Sequence, residues 1–159
     1  MNDQSFPYRI ILPTLATLVI VLGGCGGENN GPAIYPVTGK VLVDGQPASK
    51  AQVTFHRSGG PADHPTPIAE ADADGNFSPS THLTKDGAPA GDYTLTVVWP
   101  EFKVDHGEEI AGPDRLRGLY ANPGTSTLKI TIKEGENALP PFELKSTGPS
   151  STGSSERGR

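Results

Sequence analysis

The most constraining feature of this sequence is a period of two. Between Ile34 and Lys145 apolar and polar residues alternate in short runs, turn residues recur about every eight to twelve positions, and no stretch holds a 3.6-residue period over a useful length. Val37, Gly39, Val41 and Val43 fall on one face of a strand, with Thr38, Lys40 and Leu42 on the other. Ala51, Val53 and Phe55 repeat the pattern against Gln52, Thr54 and His56. Tyr93, Leu95, Val97 and Trp99 share a face opposite Thr94 and Thr96, and Pro100, lacking an N–H, is expected to end that strand. Short strands follow at Ile68 to Ala71, Asn76-Phe77-Ser78, Leu128 to Lys133 and Phe142 to Lys145, with reversals at Asp44-Gly45-Gln46-Pro47 and Asp72-Ala73-Asp74-Gly75. The expected fold class is all-β, a single antiparallel β-sandwich of about seven strands.

The two ends do not share this pattern. Ile10 to Leu22 is almost wholly apolar and follows a short polar start with one cation, Arg9. At about 13 residues it is too short for a spanning helix, which needs ~20, and reads as the core of an export signal. Gly26 to Ala33 has no large apolar residue, and neither does Ser146 to Arg159; such segments cannot repay the entropy of ordering. The expected organisation is a signal peptide over 1–24, a flexible tether over 25–33, a sandwich over 34–145 and a disordered tail over 146–159. The middle segment, roughly 110 residues, is a common size for one sandwich.

Gly and Pro, at 20 and 16 of 159 residues, limit the chain to one modest core. A net charge of −5 argues against a nucleic-acid partner, whose phosphates demand Lys and Arg. One cysteine excludes an intramolecular disulfide and a cysteine zinc cage. His56, His64, His82 and His106 share no ligand spacing, and His56 is expected on a solvent face. Asp72-Ala73-Asp74-Gly75-Asn76 begins like a calcium loop, yet the twelfth position, where a bidentate Glu is needed, is Leu83. Asp105-His106-Gly107-Glu108-Glu109 lies in what reads as a long charged connection from Glu101 to Gly118, expected first as a solvated loop, with a partner or divalent-ion surface as the alternative. Trp99 is expected in the core, while Tyr35 and Tyr120 flank strands. No catalytic residue, metal ligand or cofactor-binding residue is assigned.

Two resemblances add to this reading. Leu22-Gly23-Gly24-Cys25 resembles the lipobox of bacterial lipoproteins, which implies cleavage before Cys25 and a diacylglyceryl anchor on its thiol. Gly26 stands where an Asp would imply retention at the inner membrane, so the resemblance implies the outer membrane, facing the periplasm or cell surface. In the middle, Val37-x-Gly39-x-Val41, Asp44-Gly45-Gln46-Pro47, Ala51-x-Val53-x-Phe55, Asp72-Ala73-Asp74-Gly75-Asn76-Phe77 and Pro89-Ala90-Gly91-Asp92-Tyr93-Thr94-Leu95-Thr96-Val97 resemble the carboxypeptidase regulatory-like domain, a transthyretin-like β-sandwich. Leu119-Tyr120-Ala121-Asn122-Pro123, Thr125-Ser126-Thr127-Leu128 and Glu134-Gly135-Glu136-Asn137 are similar to the small lipoproteins of this type common in planctomycete bacteria. Transthyretin-like hydroxyisourate hydrolases carry a C-terminal Tyr-Arg-Gly-Ser, where this chain has Ser-Glu-Arg-Gly-Arg.

The function expected is therefore that of a non-enzymatic, lipid-anchored envelope protein, tethered to a membrane through Cys25, with an envelope protein or a glycan as partner. A carbohydrate-binding module at the cell surface and a secreted hydrolase are the alternatives. An exposed aromatic row would favour the first of these, and a pocket with convergent His and acidic groups the second.

Overall fold

The computed structural model describes residues 31–59 and 65–147. The segment expected to be an export signal, Cys25, His64 and residues 148–159 lie outside them. The first half of the described chain forms β1 (Ile34–Tyr35), β2 (Val37–Val43), β3 (Gln46–Pro47), β4 (Gln52–Arg57), β5 (Ile68–Glu70) and β6 (Asn76–Phe77). The second half forms β7 (Ala88–Pro89), β8 (Gly91–Val98), β9 (Pro100–Asp105), β10 (Glu108–Asp114), β11 (Lys129–Ile132), β12 (Asn137–Ala138) and β13 (Phe142–Leu144). No helix occurs among the described residues, and the all-β sandwich expected from the alternation is what they form. Five of the thirteen strands have only two residues, so the segmentation is finer than the seven strands expected.

A four-stranded antiparallel sheet has the order β11-β8-β4-β5, and β4 and β8 pair over six positions from Gln52↔Val98 to Arg57↔Tyr93. β2 organises the other sheet. β3 and β6 lie antiparallel to it, with Val43 opposite Gln46 and Gly39 opposite Phe77. β12 and β13 instead run parallel to it, with Asn137 opposite Val37 and Phe142 opposite Val41. Alternation reports which face a side chain takes and says nothing of strand direction, so this parallel pairing was not legible locally. The partner offset grows by one residue between Ala138 and Phe142, where Pro140 and Pro141 have no N–H for the ladder.

The inward faces are those the period predicted. Val37, Val41 and Val43 of β2 meet Val53 and Phe55 of β4 and Tyr93, Leu95 and Val97 of β8 in one buried cluster. Phe55 sits edge-on to both Phe77 and Tyr93, with ring centroids 6.2 and 6.0 Å apart, and Phe77 stacks on Phe142 at 6.1 Å. Edge-to-face pairs of this kind add to the area they bury. Gly39 takes an inward position without a side chain because the Phe77 ring crosses it, and a Cβ there would lie 2.3 Å from the ring.

Two expectations fail after β8. The strand ends at Val98, before Pro100, and Pro100 opens β9. Trp99, at this break, is half-buried and packs against the rim of the core; its Nε1 donates to the Ser49 carbonyl at 2.9 Å. The stretch from Glu101 to Gly118 is not an irregular connection, because β9 and β10 pair from Asp105↔Glu108 back to Pro100↔Asp114. His106 and Gly107 turn the chain with φ of 50° and 87°, both positive as a type I′ hairpin turn requires.

Candidate functional site

The polar residues singled out from sequence are mostly held in turns. Asp72 Oδ1 accepts the backbone amides of Asp74 and Asn76 at 2.9 and 2.8 Å, and the Asn76 amide holds its carboxyl below the usual carboxylate range. This is a side-chain-capped reversal rather than an ion loop. His56 is half-buried on the outer face, not freely solvated, with Nε2 2.9 Å from Thr96 Oγ1. His82 is exposed, and His106 is exposed at the hairpin turn with Nδ1 2.8 Å from Asp105. Among the described residues, no three His, Cys, Asp or Glu side chains converge as a metal site would require. Tyr35 and Tyr120 are half-buried, and the Tyr120 hydroxyl accepts the Lys145 amide at 3.1 Å.

The β9–β10 hairpin carries the acidic cluster. Phe102, Val104, Glu109 and Ala111 share one face, set by the pairs Phe102↔Ala111 and Val104↔Glu109. Lys50 contacts this face, pairing with Glu109 and lying 4.7 Å from the Phe102 ring centroid. At the root, the Asp114 carboxylate accepts the amides of Trp99, Leu116 and Gly118 at 2.9, 3.0 and 2.8 Å. Arg115 covers the Trp99 ring at 4.7 Å. The aromatics here are thus engaged by cations and do not form an open row. Leu116, fully buried, was missed by the sequence reading because Asp114 to Gly118 has no period.

The sequence also gave no sign of a groove on the opposite side of β4. It has a volume of about 610 Å³, and Gln52, Thr54, Ile68, Glu70, Ser78 and Lys85 contribute to its lining. Its origin is topological. Residues 68–72 and 76–80 run antiparallel and are joined at both ends: the Asp72 amide donates to Asn76 O at 2.8 Å, and Ile68 and Ser80 exchange bonds of 3.1 and 2.7 Å. Between these ends Phe77 turns into the core, and its strand β6 pairs with β2 of the other sheet. The chain must therefore peel away from β5, leaving Glu70 opposite Ser78 with no bond between them. Beyond the groove, Asp86 secures its loop by accepting the amides of Thr81, His82 and Leu83 at 2.7, 3.0 and 2.9 Å.

Comparison with known proteins adds little to this geometry. No family model matches the chain, and no curated protein matches it. Similar solved structures include a 9R-lipoxygenase from Cyanothece, 12% identical, with 70% of this chain and 16% of that chain covered and a TM-score of 0.37. A leucine-rich repeat protein from Bacteroides thetaiotaomicron is 14% identical, with 69% of this chain and 12% of that chain covered and a TM-score of 0.32. The chain spans less than a fifth of either, and likeness at this level carries no functional inference.

Proposed function

We propose that this protein is a non-enzymatic component of the bacterial cell envelope, anchored through acylated Cys25, whose β-sandwich is a binding or structural module of the carboxypeptidase regulatory-like type. The observation that carries this reading is the apolar run Ile10 to Leu22 leading directly into Leu22-Gly23-Gly24-Cys25. A run too short to span a bilayer directs export, and the thiol that follows is the acceptor for the lipid. Several acyl chains, at ~0.8 kcal/mol per buried methylene, hold a protein stably where one chain is marginal. Gly26 favours the outer membrane. Support for a non-enzymatic role comes from the way Asp72, Asp86 and Asp114 spend their carboxylates on backbone amides, which is the work of holding turns. Metabolic labelling with an alkyne fatty acid tests the reading: the parent protein takes up label and Cys25→Ala does not. Equal labelling of the two overturns it.

A further inference from the structure

The groove beside β5 has unused hydrogen-bonding capacity. Along β5 the backbone groups of alternate residues point to opposite edges. Those of Pro67 and Ala71 face β4, through Phe55 N to Pro67 O and Ala71 N to Ala51 O, so those of Ile68, Glu70 and Asp72 face the other way. Ile68 and Asp72 find partners there in Ser80 and Asn76, and Glu70 does not. The Ser78 backbone faces the same gap from the far side, so two peptide units confront each other without bonding. Backbone groups are strong, obligatory donors and acceptors, and a pair left open inside a concave surface is a ready binding element.

We propose that this groove binds a neutral glycan segment of one or two sugar units, through the open peptide groups of Glu70 and Ser78 and the side chains of Gln52, Thr54 and Lys85, with Ile68 as its apolar floor. This deepens the binding-module reading and rests on it. A volume of about 610 Å³ lies within the ordinary range of small-molecule sites. The lining mixes hydroxyl, amide, carboxylate and ammonium groups, matching sugar hydroxyls that both donate and accept. Glu70 and Asp72 set two carboxylates against the Lys85 ammonium, a balance that disfavours an acidic ligand and suits an uncharged one. Ile68, 58% exposed, offers the apolar surface against which the C–H face of a sugar ring packs. An extended peptide fits less well, because strand addition needs a row of open backbone groups and this edge is closed by Ser80 and Asn76.

The test is a titration of the full-length protein, purified in detergent, with cellobiose and with N,N′-diacetylchitobiose, followed through backbone amide resonances. The expected result is saturable shifts at Glu70, Ser78 and Lys85 with at least one sugar. Ile68→Arg, at an exposed position, is expected to keep the parent melting midpoint and weaken binding at least about tenfold. Val104→Arg on the hairpin leaves binding unchanged. Absence of shifts with both sugars at about 10 mM, shifts centred on the hairpin, or parent-like binding by Ile68→Arg each overturns the proposal. Fatty-acid labelling of Cys25 is a separate readout, so a labelled protein that binds neither sugar refutes the groove and leaves the anchor standing.

Discussion

Tyr93 donates its phenolic hydrogen to the carbonyl oxygen of Pro89, four residues upstream and 2.9 Å away, while its ring packs edge-on to Phe55. The same geometry closes corners in other sandwiches, where a Tyr at the start of a strand fixes the loop that feeds it. Here it locks Pro89 to Asp92 onto the entrance of β8, the longest strand. Tyr93→Phe leaves the Pro89 carbonyl without this donor and is expected to cost about 1–2 kcal/mol in urea melts. Tyr93→Ala also removes the ring and is expected to cost about 3–5 kcal/mol. Burial pushes the Tyr93 phenol above its usual 10.0, against a smaller opposing pull from Arg57. A folded value above the unfolded one means that this contribution is intact below pH 10 and is lost as pH rises through the folded value. The parent should therefore lose stability above pH 10 more steeply than Tyr93→Phe. Coincident alkaline profiles would contradict this.

Gly87 and Gly91 flank the same corner and should respond differently to a methyl group. Gly87 has φ of 105°, and a Cβ there would lie 1.9 Å from the Tyr35 carbonyl oxygen, which the β1–β7 pairing holds in place. Gly87→Ala is expected to cost at least about 3 kcal/mol. At Gly91, with φ of 150°, the nearest atom is the Arg57 guanidinium at 3.0 Å, the movable end of a flexible chain. Gly91→Ala should cost about 1 kcal/mol, mostly from the backbone. Urea midpoints rank the two, and equal losses would show that the Tyr35 contact yields.

What the sequence made legible follows from what alternation encodes. The inward faces of β2, β4 and β8 were readable because each puts one face into the core, and Asp44-Gly45 and Asp72 to Gly75 because their turn chemistry is local. The β9–β10 hairpin was hidden because its strands pack on little: Val104 is 73% exposed and Ile110 49%, so no apolar face marks it. His106-Gly107 was a signal for its turn, weaker than Asn-Gly. Trp99 continued the β8 period by coincidence, since the strand stops one residue earlier. The groove was not legible at all, because it depends on β6 leaving β5 for β2, a pairing between distant parts of the chain.

Asp114 should act as the clasp of that hairpin. Three amides converge on a charged acceptor, and Asp114→Ala is expected to cost about 2 kcal/mol. The loss should be local. Hydrogen exchange at Trp99, Leu116, Gly118 and across β9 and β10 is expected to rise at least about tenfold, while β8 amides that bond to β4 keep parent protection beyond the global change. Uniform acceleration throughout the chain would show that the hairpin is not a separate unit.

Asp86 supplies an acid-sensitive contribution. Burial alone would raise its pKa, but the amides of Thr81, Leu83 and His82 outweigh it and hold the carboxyl below the usual 3.8. A folded value below the unfolded one gives stability that is intact above pH 3.8 and lost as pH falls through the folded value. Asp86→Asn should lower the urea midpoint at neutral pH and flatten its fall between neutrality and about pH 2. A mutant profile running parallel to the parent would contradict this.

The most direct test of the anchored-envelope reading is the intact mass of the protein recovered from a bacterium with an active lipoprotein pathway. The predicted result is a chain that begins at Cys25 and carries the added mass of a diacylglyceryl group, partitioning with the membrane fraction. A chain that retains residues 1–24, or one that begins elsewhere with an unmodified Cys25, would contradict it.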